Sequence, residues 1–104
     1  MAEVNVALVV RVVAKAAREE EVAQFLAGAL PLAREEAFTP VWFALRTGPN
    51  VFYIVDAFAN DGDRTKHLTG AIAKALMANA PDLLAEPPAI EKADILGAKL
   101  PSRG

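Results

Sequence analysis

Only one histidine, His67, occurs in this chain of 104 residues. The ordinary pKa of a histidine side chain lies near neutrality, so His67 is a candidate general base toward a weakly acidic hydroxyl group. It lies near the predicted start of a helix, and there a second interpretation applies, a local hydrogen bond to Asp63 or to the loop. The histidine therefore predicts either proton transfer or a purely structural contact.

Asp56 is the second candidate for chemistry. It follows Ile54 on one face of a predicted strand and precedes Phe58, which places its carboxylate against an apolar wall. In that position it would orient His67 or a substrate hydroxyl. The alternative is an ion pair with Arg46 across a hairpin.

Aromatic side chains on the same strands are candidates for the wall of a pocket. Trp42 alternates with Ala44 on its strand, and its large ring suits a planar substrate, although a strand tryptophan also serves as core or as dimer interface. Phe58 is expected in the pocket wall. Tyr53, the single tyrosine, has the opposite strand parity from Asp56, so we expect the two to line different spaces. A Tyr53 that faced the helices would need a hydrogen-bond partner, such as a pocket supplies.

Arginine side chains offer anchors for an anionic or phenolate substrate. Asn5 and Arg11 share a parity on the first strand, and Arg46 joins them if the second strand pairs in a suitable register. The alternative is that these arginines form ion pairs at the rim of the sheet.

Composition excludes several function classes. The formal net charge is −2 and the basic residues are scattered, so nucleic acid is not an expected partner. Cysteine is absent, which excludes disulfides and thiolate chemistry and fits a cytoplasmic protein. One histidine and the close acids Asp61 and Asp63 make no recognisable metal-ligand set. The first apolar run, 6–10, is too short for a membrane span or a signal peptide.

Periodicity and turn residues predict a single domain over residues 1–104. Alternating apolar residues predict strands, spacings of three and four predict helices, and Pro31 predicts a kink or an early end of the first helix. The predicted elements are a strand at 4–14, a helix at 18–34, a hairpin of strands 41–47 and 51–58, a helix from Asn60 to Pro81, and a last strand at 89–100. This order is the α+β, ferredoxin-like βαββαβ arrangement, a four-stranded antiparallel sheet with its helices on one side.

The predicted strands are apolar on both faces. In the first strand Leu8 and Val10 point one way, while Val9 and Val13 point the other. Two helices cover only one face of such a sheet, so the second face is expected to meet a second copy of the chain. We therefore predict a homodimer through the sheet face, to which the last strand also contributes contacts with the partner protomer.

Four stretches of the sequence resemble the antibiotic biosynthesis monooxygenase family of the dimeric α+β barrel superfamily. They are VALVVRVVAK at 6–15 followed by REEEV at 18–22, LPLAREE at 30–36 before WFALR at 42–46, IVDAF at 54–58, and HL at 67–68. The chain differs from the family pattern at Ala17 and Phe38, where glycines are common, and at Asp56, where glutamate is frequent.

The resemblance implies oxidation of an aromatic molecule by molecular oxygen, without a metal, flavin or haem, in a pocket between the sheet and the helices. A haem-degrading relative would carry an axial histidine late in the second helix, and residues 73–79 contain none. The leading hypothesis is thus a cofactor-independent monooxygenase of a phenol or quinol, with His67 and Asp56 as catalytic residues. The alternatives are a non-catalytic dimeric module that binds a small ligand or regulates a partner, and a non-oxidative isomerase, cyclase or lyase on the same fold.

Overall fold

The computed structural model describes residues 3–101, which form four strands and four helices. In chain order these are β1 (Val6–Val13), α1 (Glu19–Gly28), α2 (Leu30–Glu35), β2 (Val41–Arg46), β3 (Val51–Phe58), α3 (Asp61–Leu68), α4 (Ala71–Leu83) and β4 (Ala89–Asp94). The strands make one antiparallel sheet in the order β2-β3-β1-β4. The predicted α+β fold and its βαββαβ order are confirmed, with each helical segment divided in two.

The helices pack on one face of the sheet and form the core with it. The side chains of Leu8 and Val12 from β1 and of Phe52 and Phe58 from β3 are almost fully buried there, and Val22 of α1 lies among them. Burying one such side chain contributes about 1.5–3 kcal/mol. This apolar layer therefore fixes the positions of the helices over β1 and β3.

The breaks in the helices fall close to the prolines. The first helical segment ends at Gly28 and resumes at Leu30, which confirms the early end predicted from Pro31; Pro31 lies in the first turn of α2, where the helix needs no N–H. The second helical segment was predicted to reach Pro81, and α4 continues past it to Leu83. None of the helices within residues 3–101 is long and apolar enough to cross a membrane.

The opposite face of the sheet is apolar, as the strand alternation predicted. Phe43 and Leu45 of β2 are 55% and 44% exposed there, beside the half-buried Val9 of β1 and Val55 of β3. Tyr53 lies on this face as well, since it pairs with Leu45 and Arg11. A contiguous apolar surface of this kind marks an interaction site.

β4 occupies the edge of the sheet next to β1 and is mostly exposed. It ends at Asp94 rather than at Leu100, and the Ile95 N–H then donates a hydrogen bond to the Asn5 carbonyl. The predicted contact of this strand with a partner protomer stays a prediction.

Candidate functional site

The single histidine lies between two carboxylates. The His67 Nε2 atom is 2.9 Å from Asp56 Oδ2, and the Nδ1 atom is 2.7 Å from Glu36 Oε1. The side chains of His67, Asp56 and Glu36 are 6%, 1% and 11% exposed. We call these three residues the Glu36–His67–Asp56 cluster. In it the single histidine of the chain contacts acids from two segments that are distant in sequence.

The surroundings of His67 favour its charged form. Burial alone lowers the pKa of the imidazole, but the hydrogen bonds to Asp56 and Glu36 and the charges of these two carboxylates outweigh burial and raise it. An imidazolium donates an N–H to each carboxylate, which satisfies both nitrogens at once. In this state the cluster carries a net charge of −1.

α3 carries His67 and is held in place by a cap at its N-terminus and by hydrogen bonds from Arg64 to the sheet. Its N-terminus is capped by Asn60, whose side-chain oxygen accepts a 2.8 Å hydrogen bond from the Asp63 N–H. One turn before His67, the buried Arg64 donates 3.2 Å hydrogen bonds to the carbonyls of Ala7 in β1 and Ala93 in β4. These contacts anchor α3 across two strands and hold the imidazole over β3.

Glu36 is the member of the cluster that the sequence did not single out. It follows α2, and its Oε1 atom also accepts a 2.9 Å hydrogen bond from the Thr39 hydroxyl. A Cβ at Gly70 would lie 3.0 Å from Glu36 Oε2, so the glycine permits the close approach of this carboxylate. The only signal in the sequence was its place in the LPLAREE stretch, because no periodicity relates it to His67.

Among the residues that the structure describes, two buried polar side-chain atoms at the site have no hydrogen-bond partner. They are Nε1 of Trp42 and Oδ1 of Asp56, the oxygen that does not contact His67. Trp42 and Asp56 are directly opposite in the β2–β3 pair, so their side chains emerge side by side on the helix-facing surface. A buried unsatisfied group costs about 1–3 kcal/mol, so this arrangement calls for a polar group between them.

A cleft opens beside Trp42 and Glu36. It has a volume of about 370 Å³ and is lined by Leu30, Arg34, Glu36, Thr39 and Trp42, among others. β2 is the edge strand and β3 lies one strand further in, so Asp56 sits behind Trp42 as seen from the cleft. The cleft therefore joins one carboxylate of the cluster to the tryptophan ring.

Four of the predicted residues come together. Asp56 contacts His67, Phe58 packs against the imidazole with ring centroids 5.3 Å apart, and Trp42 lies opposite Asp56. The local alternative for His67 is wrong, because its partners are Asp56 and Glu36 rather than Asp63.

Two predicted residues lie elsewhere. Tyr53 is on the far face of the sheet, in agreement with its strand parity. Arg46 pairs with Glu20 at 3.0 Å and lies over the Phe52 ring, so the alternative Arg46 to Asp56 ion pair is wrong. Nor does Arg46 share a face with Arg11, because Arg46 is opposite Phe52, which in turn is opposite Val12.

The donor atoms of the site are arranged for hydrogen bonds. Across residues 3–101, no group of three or more His, Cys, Asp and Glu side chains is placed to hold a metal ion. In the cluster, each imidazole nitrogen faces its own carboxylate oxygen, so these oxygens and nitrogens bind one another. The arrangement can share and pass protons.

Comparison with known proteins gives one near relative and many structures of the same fold. The chain is 53% identical to a protein of unknown function from Nitrosomonas europaea, with a TM-score of 0.94 over 96% of this chain and 97% of that one. A second Nitrosomonas europaea protein, named as a candidate antibiotic biosynthesis monooxygenase, is 17% identical, with a TM-score of 0.79 over 88% and 99% of the two chains. The protein PA3566 from Pseudomonas aeruginosa is 16% identical, with a TM-score of 0.78 over 93% and 99%. No family model and no curated protein matches the chain.

Proposed function

Since this chain belongs to the family of the Nitrosomonas europaea protein of unknown function and has the antibiotic biosynthesis monooxygenase-like fold, we propose that it is a cofactor-independent monooxygenase. Its substrate in this proposal is a phenol or quinol-type aromatic molecule bound in the cleft beside Trp42. The observation that carries the proposal is the buried Glu36–His67–Asp56 cluster, which places proton-accepting groups at this cleft.

The reaction requires the substrate to supply all the electrons. Transfer of the hydroxyl proton to the protein leaves an electron-rich phenolate, which reduces molecular oxygen. One oxygen atom replaces hydrogen on the ring and becomes a carbonyl, so that the phenol becomes a quinone, and the other oxygen atom leaves as water. The protein contributes orientation, a proton acceptor and exclusion of water.

The cluster changes the role expected for His67. Both imidazole nitrogens face carboxylates and the raised pKa favours the charged ring, and in that form His67 has no free lone pair for a substrate proton. A carboxylate of the cluster then accepts the substrate proton. The imidazolium next to it offsets the negative charge of the carboxylates. His67 is thus a positioning residue in this proposal.

Oxygen uptake with metal-free protein tests the proposal. We expect uptake with a panel of phenols and quinols, incorporation of one atom of ¹⁸O₂ into the product, and no return of oxygen when catalase is added. Loss of acid–base function typically slows a reaction about 10²–10⁴-fold, so Asp56→Asn, which removes a proton acceptor of the cluster, is expected to lose at least 10² while Lys66→Gln, on the exposed side of α3, keeps its rate. Uptake that catalase reverses by half would indicate simple oxidation to peroxide and contradict oxygen insertion.

A second candidate is a non-catalytic module that binds a small aromatic ligand. The observation in its favour is that His67 has both nitrogens occupied, as in a purely structural contact. This candidate predicts ligand binding in the cleft, no oxygen uptake, and no change in affinity for His67→Gln beyond the effect of lower stability.

We propose in addition that the chain is a homodimer through the open face of the sheet. Phe43 and Leu45 give this face exposed apolar area, and Tyr53 at its centre supplies an aromatic ring of the kind enriched in interfaces. Sedimentation velocity at micromolar concentration should give the mass of a dimer, and Phe43→Glu should give a folded monomer.

A further inference from the structure

We infer that Trp42 and Asp56 form a hydroxyl-binding site at the inner end of the cleft, which selects ligands by a single O–H group. The two atoms that make the site are Trp42 Nε1, a donor, and Asp56 Oδ1, an acceptor, both buried and both without a partner. This inference rests on the proposed function, since it identifies the substrate group held at that same site.

The chemistry of the two atoms defines what fits between them. The indole N–H only donates and an ionised carboxylate only accepts, so the group that satisfies both must accept and donate through one atom. A hydroxyl oxygen does this. An ether oxygen or a carbonyl satisfies Trp42 alone, and a carboxylate is repelled by Asp56, whose cluster already carries a net charge of −1.

The position of the pair favours access from the cleft. Trp42 is half-buried and lines the cleft, whereas Asp56 is 1% exposed and lies on the next strand inward. A planar ring that packs in the cleft can therefore direct its hydroxyl toward the space behind the indole. Asp56 Oδ2 is held by His67, so Oδ1 is the oxygen left to receive the hydroxyl proton, while the electron pair stays on the substrate oxygen.

The two sources of a hydroxyl are a ligand and a buried water molecule. A water molecule between Trp42 and Asp56 satisfies the same two atoms when the cleft is empty. In our inference the ligand displaces it, because the ligand hydroxyl reproduces both of its hydrogen bonds and its ring adds apolar contact with the cleft.

The test uses the single tryptophan of the chain as its reporter. A ¹H–¹⁵N spectrum of the full-length protein contains one indole resonance, which is titrated with 1-naphthol, 1-methoxynaphthalene and 1-naphthoate. We expect 1-naphthol to bind about tenfold more tightly than the methyl ether, as one buried hydrogen bond to a charged group implies, and to move the indole proton downfield. 1-Naphthoate is expected to bind more weakly than either.

The variant Trp42→Phe keeps an aromatic ring and removes the N–H donor. It should lower the affinity for 1-naphthol and for 1-methoxynaphthalene alike, since both oxygens accept the indole N–H, and it should leave the preference for 1-naphthol, which comes from Asp56, measured by calorimetry. The comparison of the two ligands on the unaltered protein does not depend on the packing of the variant. Equal affinities for the two compounds, or no binding of 1-naphthol, would overturn the inference.

The remaining outcomes separate this inference from the proposed function. A nuclear Overhauser contact between the indole proton and a long-lived water that persists through the naphthol titration shows that water alone occupies the site, which also overturns the inference. Oxygen uptake without a preference for the hydroxyl compound removes the inference and leaves the proposed function. A hydroxyl preference without uptake supports the inference and contradicts the oxygenase.

Discussion

Replacement of His67 by glutamine is expected to destabilise the protein far more than an ordinary polar substitution. The imidazolium is the only positive group that contacts Asp56 and Glu36 in the cluster, and both carboxylates are almost fully buried. Glutamine is similar in reach but neutral, so the two negative charges would remain in the interior without a counter-charge.

The magnitude follows from the burial. Removing one partner of a buried ion pair costs about 3–5 kcal/mol, because the other charge stays desolvated. A domain of this length has a free energy of unfolding of about 5–15 kcal/mol. We therefore expect His67→Gln to lose about a fifth or more of the stability at pH 7, and the melting temperature to fall by at least about 12 °C, at roughly 4 °C or more for each kcal/mol.

Urea unfolding followed by circular dichroism measures this loss. Both proteins are compared at one protomer concentration, because self-association changes apparent stability. Lys66→Gln is the matched control, since Lys66 is 66% exposed and its contact with Asp63 is 3.8 Å long; its effect is expected within about 0.5 kcal/mol. The deficit of His67→Gln should shrink as the pH rises from 7 to 9, because His67 of the wild type then loses the proton whose pKa folding raises.

A loss below about 1 kcal/mol at pH 7, in the range of exposed ion pairs, would refute this reasoning. So would a deficit that does not change between pH 7 and pH 9. The double variant His67→Gln with Asp56→Asn offers a further check. It removes one of the two stranded charges and should be more stable than the sum of the single effects predicts, by about 0.5–3 kcal/mol.

Three further predictions concern titration, capping and the anchoring of α3. Because the pKa of His67 is raised on folding, its contribution is complete below about pH 6.5 and is lost as the pH rises through the raised value; the unfolding free energy of the wild type should fall from pH 7 to pH 9, and that of His67→Gln should not. Asn60→Ala removes the side-chain acceptor at the start of α3 and should cost about 1 kcal/mol in urea unfolding, whereas Asn60→Asp should cost little. Arg64→Met should increase hydrogen exchange of α3 amides selectively, because the bonds to the Ala7 and Ala93 carbonyls fix that helix to the sheet, and uniform exchange across all helices would contradict this role.

The strands were predictable because their signal is local. The alternation of side chains in β3 predicted Asp56 and Phe58 on one face and Tyr53 on the other, and in the structure the first pair faces the helices. The hairpin also followed from its turn residues, Gly48 to Asn50. Each of these features is decided within a few neighbouring residues.

The cluster was only half predictable because it depends on contacts distant in sequence. A contact of Asp56 with His67 was one of the interpretations that the sequence offered, beside a substrate hydroxyl and an ion pair with Arg46, and the structure has the contact with His67. Glu36 is 31 residues from His67, and its approach depends on the loop after α2, the Thr39 hydroxyl and the absence of a side chain at Gly70. No spacing rule encodes such a meeting.

The position of Arg46 could not be predicted from the sequence either. Its strand parity was set by the hairpin register, which sequence alone left open between two values. In the structure Arg46 lies opposite Phe52 and reaches Glu20 of α1, so its charge stabilises the packing of that helix and stays away from Asp56. A shift of the register by one residue would have reversed that assignment.

The alternation along β3 also limits how this chain tolerates insertions and deletions. Asp56 and Phe58 contact His67, while Tyr53 and Val55, which precede them in the strand, belong to the open face. Alternate positions of β3 therefore serve the cluster and the open face separately. Loss or gain of a single residue within β3 would exchange the two sets, putting a carboxylate on the apolar face. Changes in length should therefore be confined to the turn between β2 and β3 and to the segment after Asp94.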